Sequence, residues 1–217
     1  MAQRKLQTVL AEFLRSLQGC RKLSAEAYRW SSRGANGARP HISPMTRDYI
    51  TEIAFLRAFL AWEVFVEESF ILYLIGQKPP RGRAPHRYAF PPNQRTAMEW
   101  LVPEGRQYAQ WIDPGLVSAR AERFFLSGRP FAPVLRNNLS VLGEARTIRN
   151  AIAHKSTAAR EKFETLVRTK LTTLPPSLTV GGFLGKTIPG STPPVSFMES
   201  YLARIDFAAR QIVPSEW

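Results

Sequence analysis

The sequence predicts an all-α fold, a helical bundle of five to six helices with one basic loop. Three observations predict it. Apolar residues recur at steps of three and four through most of the chain. Proline and glycine gather in a few short stretches that divide those runs. No internal repeat or heptad run points to another architecture.

Residues 3–32 read as a helix, with Leu6, Leu10, Phe13, Leu14 and Leu17 on one face before Gly34. After the loop GANGARPHIS, Ser43 and Pro44 form an N-cap and first helical position for a long helix over 44–76, closed by Gly76 and Pro79-Pro80. The segment 78–95 holds Lys78, Arg81, Arg83, Arg87 and Arg95 among five prolines with no acid, and reads as a loop. Shorter helices are expected at 93–102 and 114–127. An amphipathic run follows over 131–155, then a helix over 157–173 with Ser156 or Thr157 as N-cap. Residues 174–193 read as a Gly/Pro-rich loop or a small hairpin around Gly181-Gly182. A last helix over 194–213 carries Met198, Tyr201, Leu202, Ile205, Ala209 and Ile212 on one face.

At 217 residues with no break in composition, the chain reads as one domain, 1–217. Hydrophobic content of 44% with 22% charged residues fits a folded soluble protein rather than a disordered one. Thirty Lys and Arg against 17 Asp and Glu give a formal charge of +13, which favours a polyanionic partner, nucleic acid above all, or an acidic protein. The single cysteine, Cys20, excludes an intramolecular disulfide framework and a Cys cluster for zinc, and fits a reducing, cytoplasmic setting. Arg4, Lys5, Glu12 and Arg15 interrupt the N-terminal apolar run, which therefore reads as neither signal peptide nor anchor. The greasiest region, 49–76, contains Glu52, Arg57, Glu63, Glu67 and Glu68, so a core helix is expected and no membrane partner.

The stretch RTIRNAIAHKS, residues 146–156, is the candidate site. As a bare pattern Arg-x4-His is weak in an arginine-rich chain, and Arg81 with His86 repeats the spacing in the loop. Context separates them. In the helix over 131–155, Ala145, Ile148 and Ile152 mark the core face, while Asn150 and His154, four apart, point nearly opposite Ile152. Arg146 and Arg149 fall on the flank. A core imidazole is thereby disfavoured, and two readings remain: a functional face, or a solvated helix end where His154 and Lys155 complement the dipole.

RNAIAH, near the end of a late helix in an all-α chain, resembles the signature of the HEPN superfamily, an arginine followed by a polar residue and, a few residues on, a histidine. FLRAFLAWEVFVEESFILYL is similar to the long second helix of these proteins, where an aromatic residue and an acid often adjoin, as Trp62 and Glu63 do. The resemblance covers residues 45–170 in outline. It implies a HEPN-like fold and a metal-independent endoribonuclease without cofactor, of the branch found in prokaryotic defence and toxin loci. Arg149, Asn150 and His154 would be catalytic. The products would be 2',3'-cyclic phosphate and 5'-hydroxyl ends.

The residue types suit that reaction. An imidazole, with an ordinary pKa of about 6.5, can act as base or acid near neutrality. Arg149 can grip phosphate oxygens as charge develops, and Asn150 can orient the imidazole or the 2'-hydroxyl. One histidine cannot be base and acid in the same step, and the resemblance implies a homodimer in which two motifs share a composite site. Arg146 and Glu63 are expected to support the site, Glu63 by bracing Arg149 or His154. The alternative for Glu63, a metal pair with Glu67, is set below an arginine-paired or solvated face. Arg81, Arg83, Arg87 and Lys155 are candidate RNA contacts, with Tyr88 and Phe90 as stacking residues; the alternative for the basic loop is a mobile surface loop. The implied partners are RNA and an antitoxin or sensor protein. The other readings are a non-catalytic HEPN module for nucleotide or RNA binding or dimerisation, and a basic nucleic-acid binder with a coincidental motif.

Overall fold

The structure, a computed structural model, describes residues 4–32, 39–105, 108–154 and 156–215. Among these the chain forms nine α-helices, one 3-10 turn at Leu126–Gly128 and no strand. The helices are α1 Leu6–Ser31, α2 Pro44–Leu74, α3 Gln94–Leu101, α4 Pro114–Phe124, α5 Phe131–Asn137, α6 Leu139–Ala153, α7 Thr157–Leu171, α8 Val180–Gly185 and α9 Phe197–Ile212. The all-α expectation holds, but five to six helices was too few. No helix among the described residues is long and apolar enough to cross a membrane.

Two differences account for most of the miscount. The run over 131–155 is two helices, because buried Asn138 donates its side-chain amide to the Val134 carbonyl at 2.8 Å and interrupts the backbone ladder. The Gly181-Gly182 stretch is not a hairpin but the N-terminus of α8. Thr179 caps that helix, its hydroxyl accepting from the Gly182 amide at 2.8 Å. An isolated antiparallel bridge pairs Thr187 with Ser196 nearby. The expected caps elsewhere are present: the Ser43 hydroxyl accepts from the Thr46 amide at 3.1 Å, and Ser156 accepts from Ala159 at 3.3 Å.

The chain divides into two compact units, each discontinuous in sequence. The first comprises residues 1–15, 61–143 and 204–217. Its core is aromatic: Phe70 meets Trp111, Phe124, Phe125 and Phe131 at ring-centroid distances of 5.3, 6.3, 5.0 and 4.9 Å. Phe13 of α1 packs on Trp62 and Phe65 of α2. Tyr73 is buried, and its hydroxyl donates to the Ile212 carbonyl at 2.7 Å, tying α2 to the end of α9. Tyr73→Phe leaves that carbonyl without its donor, so a loss of about 1.5 kcal/mol is expected. A thermal melt should register it as a fall of roughly 3–6 °C; an unchanged midpoint would mean another donor satisfies the carbonyl.

The second unit comprises residues 16–60 and 144–203. Here Phe55 packs edge-on against Tyr201, and Phe183 of α8 lies between Phe163 of α7 and Phe197 of α9, at 5.6 and 4.4 Å. Polar ties join the same elements. Glu144 accepts from the Tyr201 hydroxyl at 2.9 Å and pairs with Lys170 at 2.8 Å. Asp48 accepts from the Thr179 hydroxyl at 2.7 Å and is gripped by Arg47. Burial, with the Glu144 carboxylate as hydrogen-bond acceptor, raises the Tyr201 phenol well above its ordinary range. It therefore stays a donor at all working pH.

Candidate active site

Helix α6 presents its three-and-four spacing as the sequence suggests: Leu142, Ala145 and Ile148 are buried. Ile152 departs from the expected core face, being only half-buried. Arg146, Arg149 and Asn150 are half-buried and His154 is exposed. Arg149 donates from Nη1 to the Asn150 Oδ1 at 3.3 Å, so the two adjacent motif residues are in contact. His154 stands just beyond Ala153, the last helical residue, with its amide bonded to the Asn150 carbonyl at 2.9 Å. Lys155 lies outside the described residues.

His154 opens into a pocket of about 490 Å³. Glu52 of α2, Arg160 and Glu164 of α7, and the segment Leu174–Val180 form its other principal walls. All belong to the second unit. Arg149 and Asn150 are not among the walls. The pocket thus joins the motif histidine to an acid and an arginine from other helices, a grouping the sequence reading did not make.

Each wall has a local cause. Ser156 caps α7 directly after the motif, so α7 begins within a few residues of His154 and brings Arg160 and Glu164 to the pocket. Arg160 Nε donates to Glu164 Oε1 at 2.8 Å. Thr172 and Ser177 adopt left-handed backbone, with φ of 66° and 56°, and so turn the chain after α7 into the Leu174–Val180 wall. The segment then docks on α2 through α8. The Gly181 amide donates to Glu52 Oε1 at 2.9 Å, and a Cβ at Gly181 would stand 2.0 Å from the Asp48 carbonyl oxygen.

Glu52 is half-buried. Burial is the main cause raising its carboxyl above the ordinary value of 4.5; the Gly181 amide opposes this and the Asp48 carboxylate adds to it. Its sequence signal is ambiguous, since 49–76 holds four acids and Glu63 is the one beside Trp62. Glu63 belongs to the first unit. Glu67, weighed with Glu63 as a metal pair, lines a pocket of about 250 Å³ with Glu68 and Arg4, and Arg4 pairs with Glu68 at 2.9 Å. No group of three or more metal-ligating side chains converges among the described residues.

The basic loop is more ordered in its contacts than its composition suggests. Arg87 bridges to Phe125, and the Leu126 and Tyr88 amides bond to the His86 and Phe124 carbonyls at 3.0 and 2.9 Å. Its arginines divide by task. The Arg87 side chain donates to the Leu74 carbonyl at 2.8 Å, capping the end of α2, and lies over the Phe90 ring. Gly76, with φ of +95°, makes room, since a Cβ there would sit 2.8 Å from the guanidinium. Arg81 and Arg83 instead join Arg129 around an apolar pocket of about 370 Å³ floored by Tyr73 and prolines 79 and 130. Tyr88 and Phe90 are exposed.

Comparison of the chain with protein-family models, with curated proteins and with solved structures returned no match. The functional reading therefore rests on the residues and on this geometry.

Proposed function

We propose that the protein is a metal-independent endoribonuclease of HEPN type. It cleaves RNA by attack of a 2'-hydroxyl on the adjacent phosphate, leaving 2',3'-cyclic phosphate and 5'-hydroxyl ends. The observation that carries this is the position of His154: at the end of a helix whose opposite face is core, open to a pocket that also holds a carboxylate and a guanidinium. Proton transfer and phosphate binding are the two demands of the reaction, and those residue types meet them. Arg149 and Asn150 complete the motif, Arg149 as a phosphate contact and Asn150 as its neighbour. The charge of +13 and the Arg81, Arg83 and Arg129 cluster supply attraction for the RNA backbone.

The working form in this reading is a homodimer in the cytoplasm, acting as a toxin or defence effector and held in check by an antitoxin or sensor protein. Exposed Met45, Tyr49, Ile53 and Leu60 follow one another along α2 at helical spacing, an apolar face suited to a second copy.

The test is incubation of wild type and His154→Ala with end-labelled RNA in excess EDTA, reading the product termini. Cyclic-phosphate ends made by the wild type alone are the expected result. Intact RNA with both proteins, across structured and unstructured substrates, would remove the catalytic reading in favour of a non-catalytic RNA- or nucleotide-binding module.

A further inference from the structure

One imidazole supplies one of the two proton transfers that the cleavage needs. We propose that Glu52 supplies the other, from within the same protomer, as the base that takes the proton of the attacking 2'-hydroxyl. The inference rests on the ribonuclease reading and deepens it, because it places a complete acid–base pair in the pocket of a single chain.

Four observations converge on Glu52. It lines the same pocket as His154. One carboxylate oxygen is held by the Gly181 amide at 2.9 Å, which fixes the side chain, and the other makes no hydrogen bond among the described residues. Burial raises its proton affinity, which makes it a better base than an exposed glutamate. Finally, Arg160 opens into the same pocket from α7 with its side chain 81% exposed, within reach of a phosphate entering from solvent.

The step balances without a further reactant. Glu52 carboxylate accepts the 2'-hydroxyl proton as the 2'-oxygen bonds to phosphorus. The bond from phosphorus to the 5'-oxygen breaks, and that oxygen takes a proton from the His154 imidazolium. Glu52 leaves the step neutral as a carboxylic acid and His154 as neutral imidazole; exchange with water restores both.

The charged and titratable groups around Glu52 come from three helices. Asp48, one turn earlier on α2, raises its proton affinity and is itself gripped by Arg47. From α7 come Arg160 and Glu164, paired with each other, and from the end of α6 comes His154. The Leu174–Val180 wall contributes no ionisable side chain. Cleavage should therefore rise with pH through the titration of a single carboxyl lying above the ordinary range for glutamate.

The experiment is the pH–rate profile of RNA cleavage for wild type, Glu52→Gln and Glu52→Asp, with RNA binding measured alongside. Glutamine keeps an oxygen for the Gly181 amide, so the fold and RNA affinity should hold while cleavage falls about 100-fold and the ascending limb disappears. Aspartate should retain that limb at a reduced rate and a shifted midpoint. Should Glu52→Gln lose its cooperative melt, the aspartate profile decides: a shifted limb supports the assignment, and a limb identical to wild type overturns it. Glu52→Gln that folds and cleaves within about threefold of wild type overturns Glu52 alone. RNA left intact by the wild type overturns the ribonuclease reading itself, and Glu52 with it.

Discussion

If the protein is the proposed ribonuclease, Arg149→Ala should lower RNA cleavage by about 100- to 1,000-fold, the usual effect of removing one donor aimed at developing charge, while RNA affinity should stay within about threefold. Affinity should be spared because phosphate attraction would be spread over 30 basic residues, with Arg81, Arg83 and Arg129 clustered in the first unit. The rate should not be spared, because a single planar guanidinium in contact with Asn150 occupies the motif position. The structure supplies its own control. Five residues along a helix amount to about 140° of rotation, and Arg149 does not wall the pocket that His154 shares with Arg160. Single-turnover cleavage by Arg149→Ala and Arg160→Ala, each with binding measured separately, distinguishes the two. A loss confined to Arg160→Ala would mean that the pocket holds the phosphate and that the spacing of Arg149 and His154 is incidental.

Much of the helical layout was legible because it rests on local signals. The Ser43-Pro44 start of α2, the Ser156 cap of α7 and the buried face of α6 at Ala145 and Ile148 each follow from side chains within one or two turns. What was not legible depends on distant partners. Asn138 ends α5 through a carbonyl four residues back, yet nothing in NNLSVL says that its amide will turn inward rather than toward solvent. Arg81 and Arg87 look alike in a proline-rich basic stretch. Only the fold shows that Arg87 is committed to the end of α2 while Arg81 lines a pocket.

The candidate site divides in the same way. His154 and its neighbours on α6 could be read from helical spacing. Glu52 could not, because five acids share the long helix and their choice depends on which part of it the Leu174–Val180 segment meets. Glu63, beside Trp62, is not among the walls of this pocket. Trp62 is a core residue, packed on Phe13 and Phe65 of the first unit. The signal that could have found Glu52 lies elsewhere, in the paired glycines of VGGFLG. A glycine in the first turn of a short helix allows close approach to another backbone, and at Gly181 the backbone approached is that of Asp48, one turn before Glu52 on α2.

Gly181→Ala should therefore damage both the fold and the site. The added Cβ would stand 2.0 Å from the Asp48 carbonyl oxygen and 2.5 Å from its carbon, and backbone atoms cannot swing aside as the tip of a side chain can. Helix α8 must then shift away from α2. That movement strains the Gly181 amide bond to Glu52 and the Thr179 hydroxyl bond to Asp48, both formed at the same seam. A cost of about 3 kcal/mol is expected for such overpacking, seen as a fall of roughly 6–12 °C in the melting midpoint. Gly182→Ala is the informative comparison, since its Cβ would meet the Thr179 hydroxyl and the Asp48 carboxylate at 2.8 and 3.0 Å, side-chain atoms that can yield. It should melt higher than Gly181→Ala. Equal midpoints for the two variants would show that α8 does not rest on the α2 backbone, and the Leu174–Val180 wall and the placing of Glu52 would have to be redrawn.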